Sequence, residues 1–262
     1  MTNLVDGSPI LPVYLICDTS SSMNHTIDGS MNGLRRIDVL NEAIVDLFAE
    51  VYKGNRTTVR VNLSVISFNT APCLNFPLQD INPGVTMRPL KAGGATELGK
   101  ALNFFNERLT IDEGRRGSRL GYRPVAFVIT DGHPTDTLED RREACARLAT
   151  RPKPSLPPRI VPCVVGEPCD DLLDTLTAFY GKDLTSISER VILDGKDVAQ
   201  SIRSTFGSIA MTLNYYTDDQ RIAMTQSTND EVARMDTIFV NALNSSNSRP
   251  SMTFDTFFAE LL

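Results

Sequence analysis

Asp18, Ser20 and Ser22 occupy alternate positions of Asp18-Thr19-Ser20-Ser21-Ser22. One carboxylate and two hydroxyls within so short a stretch are hard oxygen donors, the kind that Mg²⁺ takes in octahedral geometry. Serines after a strand also have ordinary uses as turn formers and helix caps. Two further stretches carry oxygen donors. Thr96 closes Ala92-Gly93-Gly94-Ala95-Thr96, where the glycines allow close backbone approach just before a helical pattern, and where Thr96 also reads as that helix's N-cap. Asp131 follows the apolar run Pro124 to Thr130, although Asp-Gly is a common turn pair as well. The glycine stretch lacks the Gly-Lys-Ser/Thr ending that holds a nucleotide phosphate, so it does not argue for ATP.

Chemistry of this kind needs a scaffold that brings the three stretches together. Val13 to Cys17 is an unbroken apolar run rich in β-formers, which suits a strand of a parallel sheet covered on both faces. In such sheets ligands bind beyond the carboxyl ends of the strands, where Asp18, Ser20 and Ser22 fall. Met23 to Gly33 reads as a loop on the same edge, and Ile37, Leu40, Ile44, Leu47, Phe48 and Val51 predict a helix over 34–52 that Gly54 ends. Val59 to Phe68 predicts a second strand, Asn69-Thr70 a turn, and Ala71 to Leu78 a short edge partner. Leu98, Ala101, Leu102, Phe105 and Leu109 form another helical stripe. Arg115, Arg116, Arg119 and Arg123 read as a solvated loop at the opposite edge.

Pro124 to Thr130 predicts the central strand, Glu139 to Thr150 a helix and Arg159 to Val165 a strand. A helix at Leu172 to Tyr180, a strand at Val191 to Leu193 and a closing helix through Val198, Ile202, Phe206 and Ile209 complete the pattern. This alternation implies an α/β fold: a doubly wound, Rossmann-like and mostly parallel sheet flanked by helices, with right-handed crossovers. The expected division is a main domain over 1–212 and a helical appendage over 213–262. In the appendage Phe254, Phe257, Phe258, Leu261 and Leu262 share one helical face and are expected to dock on the main domain.

Composition narrows the function. A net charge of −6 and a pI near 5.0 argue against nucleic acid, whose phosphates reward a basic face. The odd set Cys17, Cys73, Cys145, Cys163 and Cys169 has no Cys-x-x-Cys pair, which argues against a disulfide framework or a zinc site. No long apolar span or export signal stands out, so the expectation is a cytoplasmic protein without a membrane anchor. An enzyme is the first rival reading, a magnesium-dependent phosphotransferase using Asp18 as nucleophile. That chemistry usually wants a second carboxylate two residues on, where this chain has Ser20. A serine hydrolase is weaker, since there is no Gly-x-Ser-x-Gly elbow and the only histidines, His25 and His133, fall in loops. The second rival is a structural domain with an empty site.

Asp-x-Ser-x-Ser, a Gly-Gly-x-Thr loop and an apolar strand ending Thr130-Asp131-Gly132, in that order, resemble the von Willebrand factor A domain with its metal-ion-dependent adhesion site. The likeness spans roughly 10–210. Leu11-Pro12-Val13-Tyr14-Leu15, Leu63-Ser64-Val65-Ile66-Ser67-Phe68 and Ile129-Thr130-Asp131-Gly132-His133-Pro134-Thr135-Asp136 look more narrowly like the bacterial tellurium-resistance-associated TerY-type proteins. The resemblance implies that Ser20, Ser22 and Thr96 coordinate Mg²⁺, with Mn²⁺ or Ca²⁺ as alternatives, while Asp18 and Asp131 hold it directly or through water. It implies a non-enzymatic, metal-dependent interaction module that takes an Asp or Glu from a protein partner. It further implies a bacterial stress-response or phosphorylation-linked complex with a protein kinase and a PP2C-type phosphatase. Two departures stand out. Ser21 replaces the glycine usual in the family, and the zinc-ribbon tail of some relatives is absent.

Overall fold

The computed structural model describes residues 10–27, 33–54, 60–116, 122–130, 133–152, 155 and 157–164, and all of 199–213 except 201, 204, 208, 211 and 212. Among the described residues five strands form one sheet: β1 (Ile10–Asp18), β2 (Arg60–Phe68), β3 (Pro72–Asp80), β4 (Val125–Thr130) and β5 (Arg159–Val164). Their spatial order is β3-β2-β1-β4-β5. β1 lies parallel to β2 and β4, β4 lies parallel to β5, and only β3 runs antiparallel. The sequence reversal from β2 across β1 to β4 is the switch point at which open α/β sheets bind ligands. β1 sits on it, and Asp18 is its last residue.

β1 is apolar at nearly every position because both faces are covered. Leu11, Val13, Leu15 and Cys17 point to one side, where they meet α1 (Arg36–Gly54) and the described helical residues within 199–213, here α4. Tyr14 and Ile16 point to the other, against α2 (Leu98–Arg116) and α3 (Leu138–Ala149). β4 divides in the same way, with Phe127 on the first face and Val128 on the second. Fully burying each such side chain contributes about 1.5–3 kcal/mol, so the two layers together fix the sheet and, with it, the edge that β1 and β4 reach. The expected stripes are the ones buried: Ile37, Leu40, Ile44, Leu47, Phe48 and Val51 of α1, then Leu98, Ala101, Leu102, Phe105 and Leu109 of α2.

Three expectations need correction. β3 is not a short partner but nine residues long, equal to β2, and as an edge strand it accommodates Pro72 and Pro77. α2 runs on to Arg116, so Arg115 and Arg116 lie on a helix rather than in a loop. Arg123 is not merely solvated, because its Nε donates to Pro157 O at 2.6 Å. The predicted elements at 172–180 and 191–193, and the expected appendage of 213–262 from residue 214 onward, lie outside the described residues. Leu213 still belongs to α4 and is buried in the core. No helix among the described residues is long and apolar enough to cross a membrane.

Candidate functional site

Asp18 ends β1 completely buried. Its Oδ1 accepts from the Ser20 amide at 2.7 Å and its Oδ2 accepts from Thr130 Oγ1, the last residue of β4, at 2.6 Å. Both of these donors are neutral. The carboxylate therefore ties the serine loop to the end of the neighbouring strand. Burying a carboxylate costs several kcal/mol, and these two hydrogen bonds offset part of that cost.

After Asp18 the chain turns sharply. Thr19 N and Oγ1 both donate to Phe68 O, at 2.7 and 3.0 Å, which pins the turn to the end of β2. Ser20 then precedes a short 3-10 turn, Ser21–Asn24, at the position a capping serine would take, yet its side chain makes no capping bond. Instead the Ser20 and Ser22 hydroxyls lie 2.9 Å apart. Two hydroxyls at that separation, next to a buried carboxylate, form a small hard-oxygen cluster of the sort a divalent ion accepts.

The glycine loop lies against this turn. Gly93 N donates to Thr19 O at 2.8 Å, and the Ser21 amide and hydroxyl both donate to Gly94 O, at 3.0 and 2.9 Å. Asn24 Nδ2 adds a bond to Ala92 O at 3.1 Å. Gly94 is glycine for a reason: its φ is +86°, and a Cβ there would stand 2.6 Å from Thr70 Oγ1. Thr96 is buried and lies two residues before α2. Its hydroxyl caps no α2 amide among the described residues, since the Gly99 amide is taken by Asp136. That leaves the hydroxyl for another role.

Asp18 at the end of β1, Ser20 and Ser22 on the loop after it, and Thr96 on the adjoining loop thus share one edge of the sheet. Asp131, which follows Thr130 in the chain, lies outside the described residues. His25 and His133 are exposed. The thiols play no part in the cluster: burial pushes Cys17 and Cys163 far above their ordinary value, with the facing thiol and Asp18 adding to the effect on Cys17. Both therefore stay protonated near neutral pH.

Sequence reasoning missed the residues that hold the loops together. Asn24 also accepts from Arg35 Nη1 at 3.3 Å, and Arg35 forks onto Asp38 at 2.9 and 2.8 Å, linking the serine loop to the start of α1. Thr135 and Asp136 grip the Thr96 loop from the far side. The available signal was Thr137: it is the N-cap of α3, accepting from Asp140 N at 3.1 Å, so the preceding Asp136 is not needed as a cap.

A doubly wound α/β domain with an oxygen-rich loop cluster at its switch point is the class defined by this geometry. The family model for the von Willebrand factor type A domain matches residues 13–152, and the chain belongs to that family. Among solved structures it is similar to the PilB minor pilin from Streptococcus sanguinis, at 16% identity and a TM-score of 0.50, over 80% of this chain and 62% of that one. It is also similar to the pilus adhesin SpaC from Lactobacillus rhamnosus GG, at 12% identity and a TM-score of 0.53, over 80% of this chain and 31% of that one. The chain spans less than two thirds of either protein, and at these identities the likeness is one of fold.

Proposed function

We propose that the protein is a metal-dependent protein–protein interaction module, TerY-like, that holds Mg²⁺ at a metal-ion-dependent adhesion site and takes an acidic side chain from a partner. The observation that carries this reading is Asp18, a wholly buried carboxylate beside paired hydroxyls, with a neutral donor, Ser20 N or Thr130 Oγ1, on each of its oxygens. A divalent ion at that point would meet hard oxygen donors gathered on one edge of the sheet. Ser20, Ser22 and Thr96 would hold the ion, with Asp18 and Asp131 orienting its shell. Mn²⁺ and Ca²⁺ suit the same donors, though neutral hydroxyls and a compact site favour the smaller ion. A divalent ion bound largely by neutral oxygens retains attraction for an anion, and a partner's Asp or Glu supplies one.

The same burial weighs against a phosphotransferase. A nucleophile must reach its substrate, whereas Asp18 has no exposed surface and both its oxygens accept hydrogen bonds. The partner in this reading is a component of a bacterial stress-response or phosphorylation-linked complex, a protein kinase or PP2C-type phosphatase being the first candidates by resemblance. The names of the pilin and the adhesin also describe proteins of assemblies rather than enzymes. A cytoplasmic setting fits the exposed free thiol of Cys73, which a reducing compartment preserves. Calorimetry with Mg²⁺ tests the proposal: wild type should bind, and the pair Ser20→Ala with Ser22→Ala should bind at least about tenfold more weakly with its fold intact. Equal affinity in the two proteins refutes the site.

A further inference from the structure

The glycine loop has an unusual way of spending its amides. Ala95 N goes to Thr70 Oγ1 at 3.1 Å, Thr96 N to Thr135 Oγ1 at 3.0 Å and Glu97 N to Asn69 O at 3.1 Å. Gly99 N, in the first turn of α2, goes to Asp136 Oδ2. Consecutive residues are thus fastened alternately to the β2–β3 turn and to the segment after β4. The Thr96 tie is reciprocal, because Thr135 N donates back to Thr96 O at 2.9 Å.

Asp136 is itself held. Arg141, on the buried side of α3, donates from Nη1 to Asp136 Oδ1 at 3.1 Å and to the Asp136 carbonyl at 2.7 Å. Gly99 makes room for this: a Cβ there would stand 2.9 Å from Asp136 Oδ2 and 3.1 Å from the Asp140 backbone. Because Thr137 caps α3, neither Thr135 nor Asp136 is needed for that helix to start. What the two residues do instead is lock the loop bearing Thr96 to the loop that continues from Asp131.

We propose that Thr135 and Asp136 are positioning residues for the metal site, fixing Thr96 beside the serine loop before any ion arrives. The proposal rests on the metal-binding reading above. Its physical basis is that Gly93 and Gly94, with φ of 156° and 86°, leave the loop free to take many conformations. Without the lock, a ligand on such a loop has to be ordered at the moment of binding, and affinity falls accordingly. Partners that orient ligands from outside the coordination shell are typically worth about 10–100-fold in metal affinity.

The test compares the full chain with Thr135→Val, which removes the acceptor for Thr96 N, and Thr135→Ser, which restores it. Amide hydrogen exchange at Thr96 is read without metal, and Mg²⁺ affinity by calorimetry. Thr135→Val should exchange faster at Thr96 and bind Mg²⁺ roughly tenfold more weakly, and Thr135→Ser should recover both. If the Val variant does not fold, Thr135→Ala removes the same acceptor with less bulk and serves in its place. Wild-type Mg²⁺ affinity in a variant whose Thr96 amide has become labile overturns the positioning role alone. A wild-type protein that binds no Mg²⁺ but keeps Thr96 protected overturns the metal reading, and the positioning role with it.

Discussion

Replacing Gly94 by alanine probes the joint between the glycine loop and the β2–β3 turn. Two costs add. A side chain at φ +86° enters the left-handed region, worth about 1–2 kcal/mol for an L-residue. The new Cβ also meets Thr70 Oγ1 at 2.6 Å, so that hydroxyl must turn away and release the Ala95 amide it holds at 3.1 Å. Losing a hydrogen bond of this kind costs about 1 kcal/mol. The sum is about 2–3 kcal/mol, a fall in melting temperature of roughly 4 to 12 °C for a domain of this size.

A double-mutant cycle separates the two costs. Thr70→Ala alone loses the Ala95 bond, and once Thr70 is truncated Gly94→Ala has no hydroxyl to displace. Urea unfolding of the four proteins should therefore show that the double variant is less destabilised than the two single losses summed, by about 1 kcal/mol. Gly93→Ala is the control for backbone strain without a contact, since its φ of +156° disfavours a side chain while a Cβ there meets nothing within 4 Å. Strict additivity, or a Gly94→Ala loss no larger than about 0.5 kcal/mol, would show that the contact does not constrain the loop.

Ser21→Gly should cost about 1 kcal/mol in urea unfolding through the lost bond to Gly94 O; Ser21→Ala should lose nearly as much, and no loss in the alanine variant means the hydroxyl contributes nothing. Asp38 should titrate below its ordinary 3.8, held there first by its hydrogen bond from Arg35. With its folded value below the unfolded one, the pair stabilises above pH 3.8 and its effect fades as pH falls through the folded value. An Asp38→Asn variant should accordingly be slightly less stable at neutral pH and should converge on wild type in acid, while a carboxyl NMR titration of Asp38 at or above 3.8 contradicts the assignment.

The fold was largely legible because its determinants are local. β1 and β4 announce themselves as apolar runs that only a doubly covered strand tolerates, and α1 and α2 as stripes at helical spacing. The misses came where tertiary contacts override local pattern. The apolar stripe of α2 stops at Leu109, yet the helix continues to Arg116, because Asp112 accepts from the buried Tyr14 hydroxyl at 3.1 Å and Glu113 accepts from Arg151 Nη2 at 2.7 Å. Neither partner is near in sequence. β3 likewise exceeds its apolar core because pairing with β2 extends to Asn62 and Asp80.

The site divides along the same line. Asp18, Ser20 and Ser22 fall within five residues, so their type and spacing reveal them. The bonds that join the loops of this edge to one another span 73 residues from Ser21 to Gly94, 68 from Asn24 to Ala92 and 39 from Thr96 to Thr135. Many of those bonds end on backbone carbonyls or amides, which every residue type provides, so composition carries no trace of them. Side chains leave a trace only where the backbone alone does not suffice, as with glycine at 94, where a Cβ has no room, and hydroxyls at 21 and 135, which reach a neighbouring loop's main chain. A search for this kind of site should therefore look beyond the candidate donors for small residues and hydroxyls at loop positions that no local helix cap or turn explains. In this chain that criterion selects Thr19, Ser21, Thr70, Gly94 and Thr135, and each of them bonds or abuts a second segment.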